Sequence, residues 1–169
     1  MEGGDGARRA ILGSVPAIAA DSPAADRIAV AVDFGGTKVE AAVVDATGAI
    51  LPGSRVRAAT GPVAAEDVAA AVVDVVRAAA ASAAADGRPV AGIGIGSAGP
   101  IDLAEGTASP LNIPSWRGYP LRDLVAATAE PALGAVPVAL RIDGEAIALA
   151  EHWIGAIRGA TAAIGMVVS

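Results

Sequence analysis

A mixed α/β sheet flanked by helices is the fold this sequence predicts, on three observations. Short β-type apolar runs around turn residues fill Ile28 to Ala59. From Pro62 the apolar spacing becomes helical, and helical patterns then alternate with extended runs up to the last residues. The 169 residues are 54% hydrophobic but only 2% aromatic, so one core has to be built from Val, Ile, Leu and close-packed Ala.

The elements follow in order. Ile28 to Asp33 and Val39 to Asp45 are apolar runs on either side of Phe34-Gly35-Gly36-Thr37, which reads as a hairpin. Ala49 to Ala59 is a third extended segment, and its Pro52-Gly53 suits an edge. Val68, Val72, Val75, Val76 and Ala79 lie on one helical face, with Glu66 and Asp67 in the first turn and Gly87 and Pro89 as stop signals. Val90 to Ser97 returns to a strand whose glycines admit a close neighbour. Ile101 to Gly118 has no clear period and is expected to be an irregular, substrate-facing loop. Pro120 suits the first turn of a helix carrying Leu121, Leu124, Val125 and Thr128. A strand over Val136 to Ile142 follows. Asp143 to Arg158 reads as a helix apolar nearly all round, hence buried on several sides, and Ala162 to Val168 as a last strand. Three antiparallel strands followed by helix-separated parallel ones place a site at the carboxyl ends of the parallel strands.

Composition excludes several classes. With a net charge of −6 and only 12 scattered basic residues, nucleic acid is not the expected partner. No apolar run reaches the ~18 to 20 residues of a spanning helix, so no membrane is expected. The absence of cysteine rules out a disulfide scaffold or thiolate metal site and is compatible with a cytoplasmic location. Residues 1–27 are expected to be a flexible tail: Glu2, Asp5, Gly13 and Pro16 spoil the outline of an export signal that Arg8 and Arg9 begin.

Gly94-Ile95-Gly96-Ser97-Ala98-Gly99 matches the spacing of a dinucleotide fingerprint, but Pro100 follows where a helix should start, and no Walker loop is present. Asp33-Phe34-Gly35-Gly36-Thr37-Lys38 has two readings. One is a plain hairpin turn in which the glycines supply positive φ. The other is a phosphate site: successive backbone amides converge on a phosphate, Thr37 adds a hydroxyl, and Asp33 holds a magnesium-bound water. Lys38 is the only lysine of the chain.

The segment Ala29 to Lys38 resembles the first phosphate motif of the hexokinase, actin and Hsp70 ATPase superfamily. Within it, Gly96-Ser97-Ala98-Gly99-Pro100-Ile101-Asp102, Leu111-Asn112-Ile113-Pro114-Ser115-Trp116 and Asp143 to Trp153 resemble the ROK family of bacterial sugar kinases and repressors, in the family's order over residues 28–169. The resemblance implies a ribonuclease-H-like lobe, ATP and Mg2+ as cofactors, a small-molecule sugar as partner, and a homodimer as an option for the full-length form. Members are about twice this length, so the second phosphate loop, the adenosine site and the C-terminal lobe are expected to be absent.

The resemblance also assigns roles. Asp143 stands where the family has its general base, although an aspartate opening a helix is equally an N-cap. Asn112 stands where the family binds sugar hydroxyls, and is otherwise a turn residue. Gly99 would let a sugar approach the backbone, or form an ordinary turn. The family's asparagine before the base is Ile142 here, and its later asparagine is Glu145, which weakens the expected hold on sugar hydroxyls. His152 reads as a packed helix residue, Glu151 as a helix-packing or ion-pair residue, and Trp116 and Trp153 as core anchors, with Trp116 a further candidate wall of a sugar pocket. The expected function is that of the N-terminal lobe of an ATP- and magnesium-dependent hexose kinase acting on O6 of glucose or an analogue. The alternative is a non-catalytic truncated or decayed lobe, or a sugar-sensing regulator.

Overall fold

A computed structural model describes residues 26–165. Among the described residues, seven strands and three helices follow one another as β1 (Ile28–Phe34), β2 (Lys38–Asp45), β3 (Val56–Ala59), α1 (Ala65–Asp86), β4 (Val90–Ser97), β5 (Ile101–Asp102), β6 (Thr107–Ala108), α2 (Leu121–Leu133), β7 (Val138–Ile142) and α3 (Asp143–Ile154). The main sheet has the order β3-β2-β1-β4-β7. β1 pairs antiparallel with β2 and β2 with β3, whereas β1–β4 and β4–β7 are parallel. The mixed sheet with helix-separated parallel strands is the architecture the sequence predicts. The expected last strand, residues 162–168, shows no strand over 162–165. Its remainder lies outside the described residues, as do residues 1–25 of the expected tail.

Alternation along β1 sends Ile28, Val30, Val32 and Phe34 to one face, where all are buried. Val39 and Val43 of β2, Ile93 and Ile95 of β4 and Leu140 of β7 join them. α1 lays its buried Val68, Val72, Val75, Val76, Ala79, Ala80 and Ala83 on that face, and α2 adds Leu121, Val125 and Ala129 to the same cluster. By length and apolar character α1 could cross a membrane, but its valine face is spent on the sheet. Gly87, in the left-handed region at φ 81°, ends it where the sequence places the stop.

Several elements differ from expectation. β3 begins only at Val56, because Pro52-Gly53 forms a turn in which Ser54 N–H donates to the Leu51 carbonyl and Gly53 takes φ 77°. The buried Ser54 hydroxyl accepts the amide of Val43, fastening that turn to β2. The segment 101–118 is not wholly irregular: β5 and β6 form a small antiparallel pair. Asp102 Oδ1 accepts the amides of Ala104 and Glu105, and Gly106 completes the turn at φ 73°. Pro120 occupies the N-cap of α2, and not its first turn. α3 ends at Ile154 and has no buried residue; Ile147, Leu149, Trp153 and Ile154 are each 43–53% exposed. The helix lies on the opposite sheet face, which α1 and α2 do not cover, so among the described residues its apolar circumference meets little protein.

Trp116 is the anchor of the 101–118 segment. It is fully buried, stacked between Phe34 (centroids 4.6 Å apart) and Tyr119 (4.0 Å), and its Nε1–H donates to the Ala65 carbonyl at 3.1 Å. Its full burial removes it as a wall of any open pocket. Truncating a buried tryptophan costs ~3 to 5 kcal/mol, so Trp116→Ala is expected to lower the melting temperature by roughly 6 to 20 °C, read by circular dichroism. A variant melting with the parent would show that this segment is not fastened through Trp116.

Candidate active site

Parallel pairing levels the carboxyl ends of three strands. Phe34 pairs with Ser97 and Ser97 with Ile142, so the turn after β1, the bend after β4 and the start of α3 emerge side by side. Strands lie ~4.8 Å apart, which sets the ends of β1 and β7 ~10 Å from each other. The backbone supports this edge directly, the amide of Ala98 donating to the Phe34 carbonyl at 2.9 Å.

The turn after β1 is closed by the amide of Gly35, which donates to the Lys38 carbonyl at 2.9 Å. Thr60 fixes it from β3's end: its amide donates to the Thr37 carbonyl and its hydroxyl to the Gly35 carbonyl, each at 3.0 Å. Among the described residues the amides of Gly36 and Thr37 have no hydrogen-bond partner, so they remain available to an anion. Neither Gly35 nor Gly36 lies in the left-handed region, contrary to the expectation that the pair supplies positive φ. The reason for glycine is space. A Cβ on Gly36 would stand 1.7–2.1 Å from the amide atoms of Asn112, and one on Gly35 would lie 3.3 Å from the Lys38 carbonyl.

Asp33 is 64% exposed beside this turn, with Lys38 Nζ 4.0 Å from its Oδ2. On the other side, Asp143 is partly buried as the first residue of α3; the N-cap position itself belongs to Ile142. Asp143 Oδ1 accepts the amide of Gly144 at 2.7 Å. Ile142, 40% exposed, covers Gly99: a Cβ there would be 2.7 Å from Ile142 Cδ1. The space beside Gly99 is thus filled by a methyl group. Glu145 pairs with Arg141 at 3.2 Å.

Two groupings result, Gly35 to Lys38 with Asn112, and Gly99 with Ile142 and Asp143. Asp33 and Asp143 also share the rim of an open cleft of about 820 Å³ that runs down the second sheet face. Its floor is small, with Ala31, Ala42, Gly94, Gly96 and Ala139, and its wall is Ala146, Ile147, Ala150 and Trp153 of α3. Trp153 is therefore a half-exposed cleft residue and not a core anchor. His152 is exposed, not packed, and Glu151 caps the helix end by accepting the amide of Ala156 at 2.8 Å. Among the described residues no three His, Asp or Glu side chains converge on a metal position.

Glu40 is the site residue the sequence reading missed. It neighbours Asp33 across β1–β2 and Arg57 across β2–β3. Its carboxylate, 12% exposed, is gripped by Arg55 at one oxygen and by Arg57 at the other, the latter at 2.7 Å. The bond from Arg55, ahead of that from Arg57, holds its carboxyl below the usual glutamate range in spite of burial. Only the strand register brings these three residues together.

The chain matches the family described as "ROK family" over residues 29–169. It is 33% identical over 132 residues to a glucokinase of Streptomyces coelicolor, covering 78% of this chain and 38% of the glucokinase. Among solved structures it resembles a ROK hexokinase from Thermus thermophilus, with 35% identity, TM-score 0.61, and coverage of 78% of this chain and 40% of that one. It also resembles a ROK family glucokinase from Streptomyces griseus in complex with glucose and AMPPNP, with 37% identity, TM-score 0.59, and coverage of 78% and 38%. The chain spans well under half the length of these relatives.

The Glu40 clamp has a pH signature. A carboxyl lowered by folding stabilises the fold fully above its unfolded value, and that contribution disappears as pH falls through the lowered, folded value. Glu40→Gln is expected to melt below the parent near about pH 7, with the gap closing toward about pH 3. Melting curves across that range check it; a gap independent of pH would mean that the carboxylate charge is not what the arginines hold.

Proposed function

Because the chain belongs to the ROK family, we propose that residues 28–169 form the first lobe of an ATP- and magnesium-dependent hexose kinase, acting in the cytoplasm. The γ-phosphoryl group passes to a sugar hydroxyl, O6 of glucose or of a close analogue. The observation that carries this reading is the meeting, at one sheet edge, of a turn with two unpartnered amides and an aspartate at the start of a helix.

The residues present fit a magnesium nucleotide. Gly36 and Thr37 N–H would meet the phosphate oxygens, Lys38 adds positive charge, and the exposed Asp33 carboxylate would hold a water of the magnesium shell. The bound magnesium nucleotide supplies the transferable phosphoryl group and neutralises charge as it moves. Asn112, lying over Gly36, would hold a sugar hydroxyl beside the phosphates.

Asp143 has one carboxylate oxygen engaged by Gly144, which leaves the other to accept the hydroxyl proton. As the sugar oxygen bonds to the γ-phosphorus, the bond from that phosphorus to the bridging oxygen breaks, the proton passes to Asp143, and ADP leaves. Phosphoryl transfer draws mainly on positioning and charge stabilisation, so a carboxylate held at a strand-to-helix junction suffices as base.

The test is a chimera in which residues 28–169 replace the matching segment of the Streptomyces coelicolor glucokinase. General-base assistance is typically worth ~10² to 10⁴ in rate, so Asp143→Asn in that chimera is expected to lose kcat by that order while glucose binding persists. A coupled assay for glucose 6-phosphate measures it. Full retention of kcat would leave Asp143 as a helix-start residue only.

A further inference from the structure

Gly36 is usually the kind of residue explained by backbone conformation, but here its φ lies outside the left-handed region, so an alanine would be conformationally acceptable. What an alanine could not share is space. The position of its Cβ is taken by the Asn112 side chain, with Nδ2 at 1.7 Å and Cγ and Oδ1 at 2.1 Å. Asn112 itself sits on an exposed stretch held from below by two buried neighbours, Ile113 and Trp116. Arg117 Nη1 also ties this stretch down, donating to the Pro110 carbonyl at 2.7 Å. The backbone of the loop is therefore anchored, while among the described residues the Asn112 amide has no hydrogen-bond partner and rests against Gly36.

We propose that Gly36 is a positioning residue: its missing side chain is the seat of the Asn112 amide, and so fixes where the acceptor-binding group stands relative to the phosphate turn. The inference rests on the reading of Asn112 as a sugar contact. It adds that the two halves of the site are coupled sterically, through the space of one missing methyl group. Because the displaced group is the end of a short side chain on the surface, an alanine at position 36 turns Asn112 away without unfolding the protein. The cost falls on ligand geometry and spares stability.

The experiment uses the whole 169-residue chain, labelled with ¹⁵N, and D-glucose as probe. In the parent, the Asn112 side-chain amide protons should show a cross-peak to the Gly36 Hα and should shift on titration with glucose. In Gly36→Ala the cross-peak to position 36 should vanish. Glucose should bind more weakly by roughly 5- to 30-fold, the scale of one hydrogen bond, and the melting temperature should stay within about 2 °C of the parent. Asn112→Ala should weaken glucose to the same degree, and Gly36→Ala added to it should change nothing further. Weakening by Asn112→Ala with no effect of Gly36→Ala would overturn the positioning role and leave the acceptor reading intact. A further loss in the double variant would likewise overturn it, by showing that Gly36 acts on another group. Glucose that neither shifts Asn112 in the parent nor responds to Asn112→Ala would overturn the acceptor reading itself, and the coupling with it.

Discussion

The parallel pairing of β1, β4 and β7 is the constraint on which the rest of this structure depends. Parallel strands need crossovers, and α1 and α2 supply them on one face, where Val68, Val72, Val75 and Val76 meet Val30, Val32 and Phe34. Once the strands are level, their carboxyl ends can only deliver three chain segments to one edge. The turn at Gly36, the bend at Gly99 and the first residue of α3 are neighbours for this reason, although long stretches of sequence separate them. Trp116, stacked between Phe34 and Tyr119, extends the constraint to the loop that carries Asn112.

The other sheet face is built on a different principle. Ala31, Ala42, Gly94, Gly96 and Ala139 give it almost no relief, and α3 touches it closely at Gly96, whose added Cβ would lie 3.3 Å from that of Ala146. Small residues on the sheet allow that approach, but among the described residues they also leave the large side chains of α3 with few partners. Several ion pairs line the rim: Glu40 between Arg55 and Arg57, Asp33 near Lys38, and Arg141 with Glu145. Acid and base alternate there, so that edge is polar without being strongly of one sign.

Much of the fold was legible because period and stop signals agree with tertiary packing. The valine face of α1, its stop at Gly87 and the hairpin at Asp33 to Lys38 all follow local rules that the core reinforces. The β5–β6 pair was not legible, since two-residue strands carry no period and depend on Asp102 and Gly106 turning the chain. The exposure of α3 was misread because an apolar circumference reports composition, whereas burial depends on which layers are present. In the candidate site, Asp33 and Asp143 could be picked out by their places at element ends and by family resemblance. The Glu40 clamp needs the strand register, and the seat of Asn112 on Gly36 needs a contact between distant segments. Neither leaves a pattern in sequence. The glycine pair itself was noticed, but its physical reason is a neighbour's volume and not its own φ.

The proposed kinase lobe requires this sheet edge to bring phosphate, acceptor and base together. The most direct measurement is a crystal structure of the glucokinase chimera, carrying residues 28–169, with glucose, AMPPNP and magnesium bound. The expected result is terminal phosphate oxygens on the Gly36 and Thr37 amides, one glucose hydroxyl within hydrogen-bond reach of Asn112 and another within reach of the Asp143 carboxylate, and Asp33 facing the magnesium shell. Phosphates bound away from the turn, or a sugar whose hydroxyls all lie out of reach of Asp143, would contradict it.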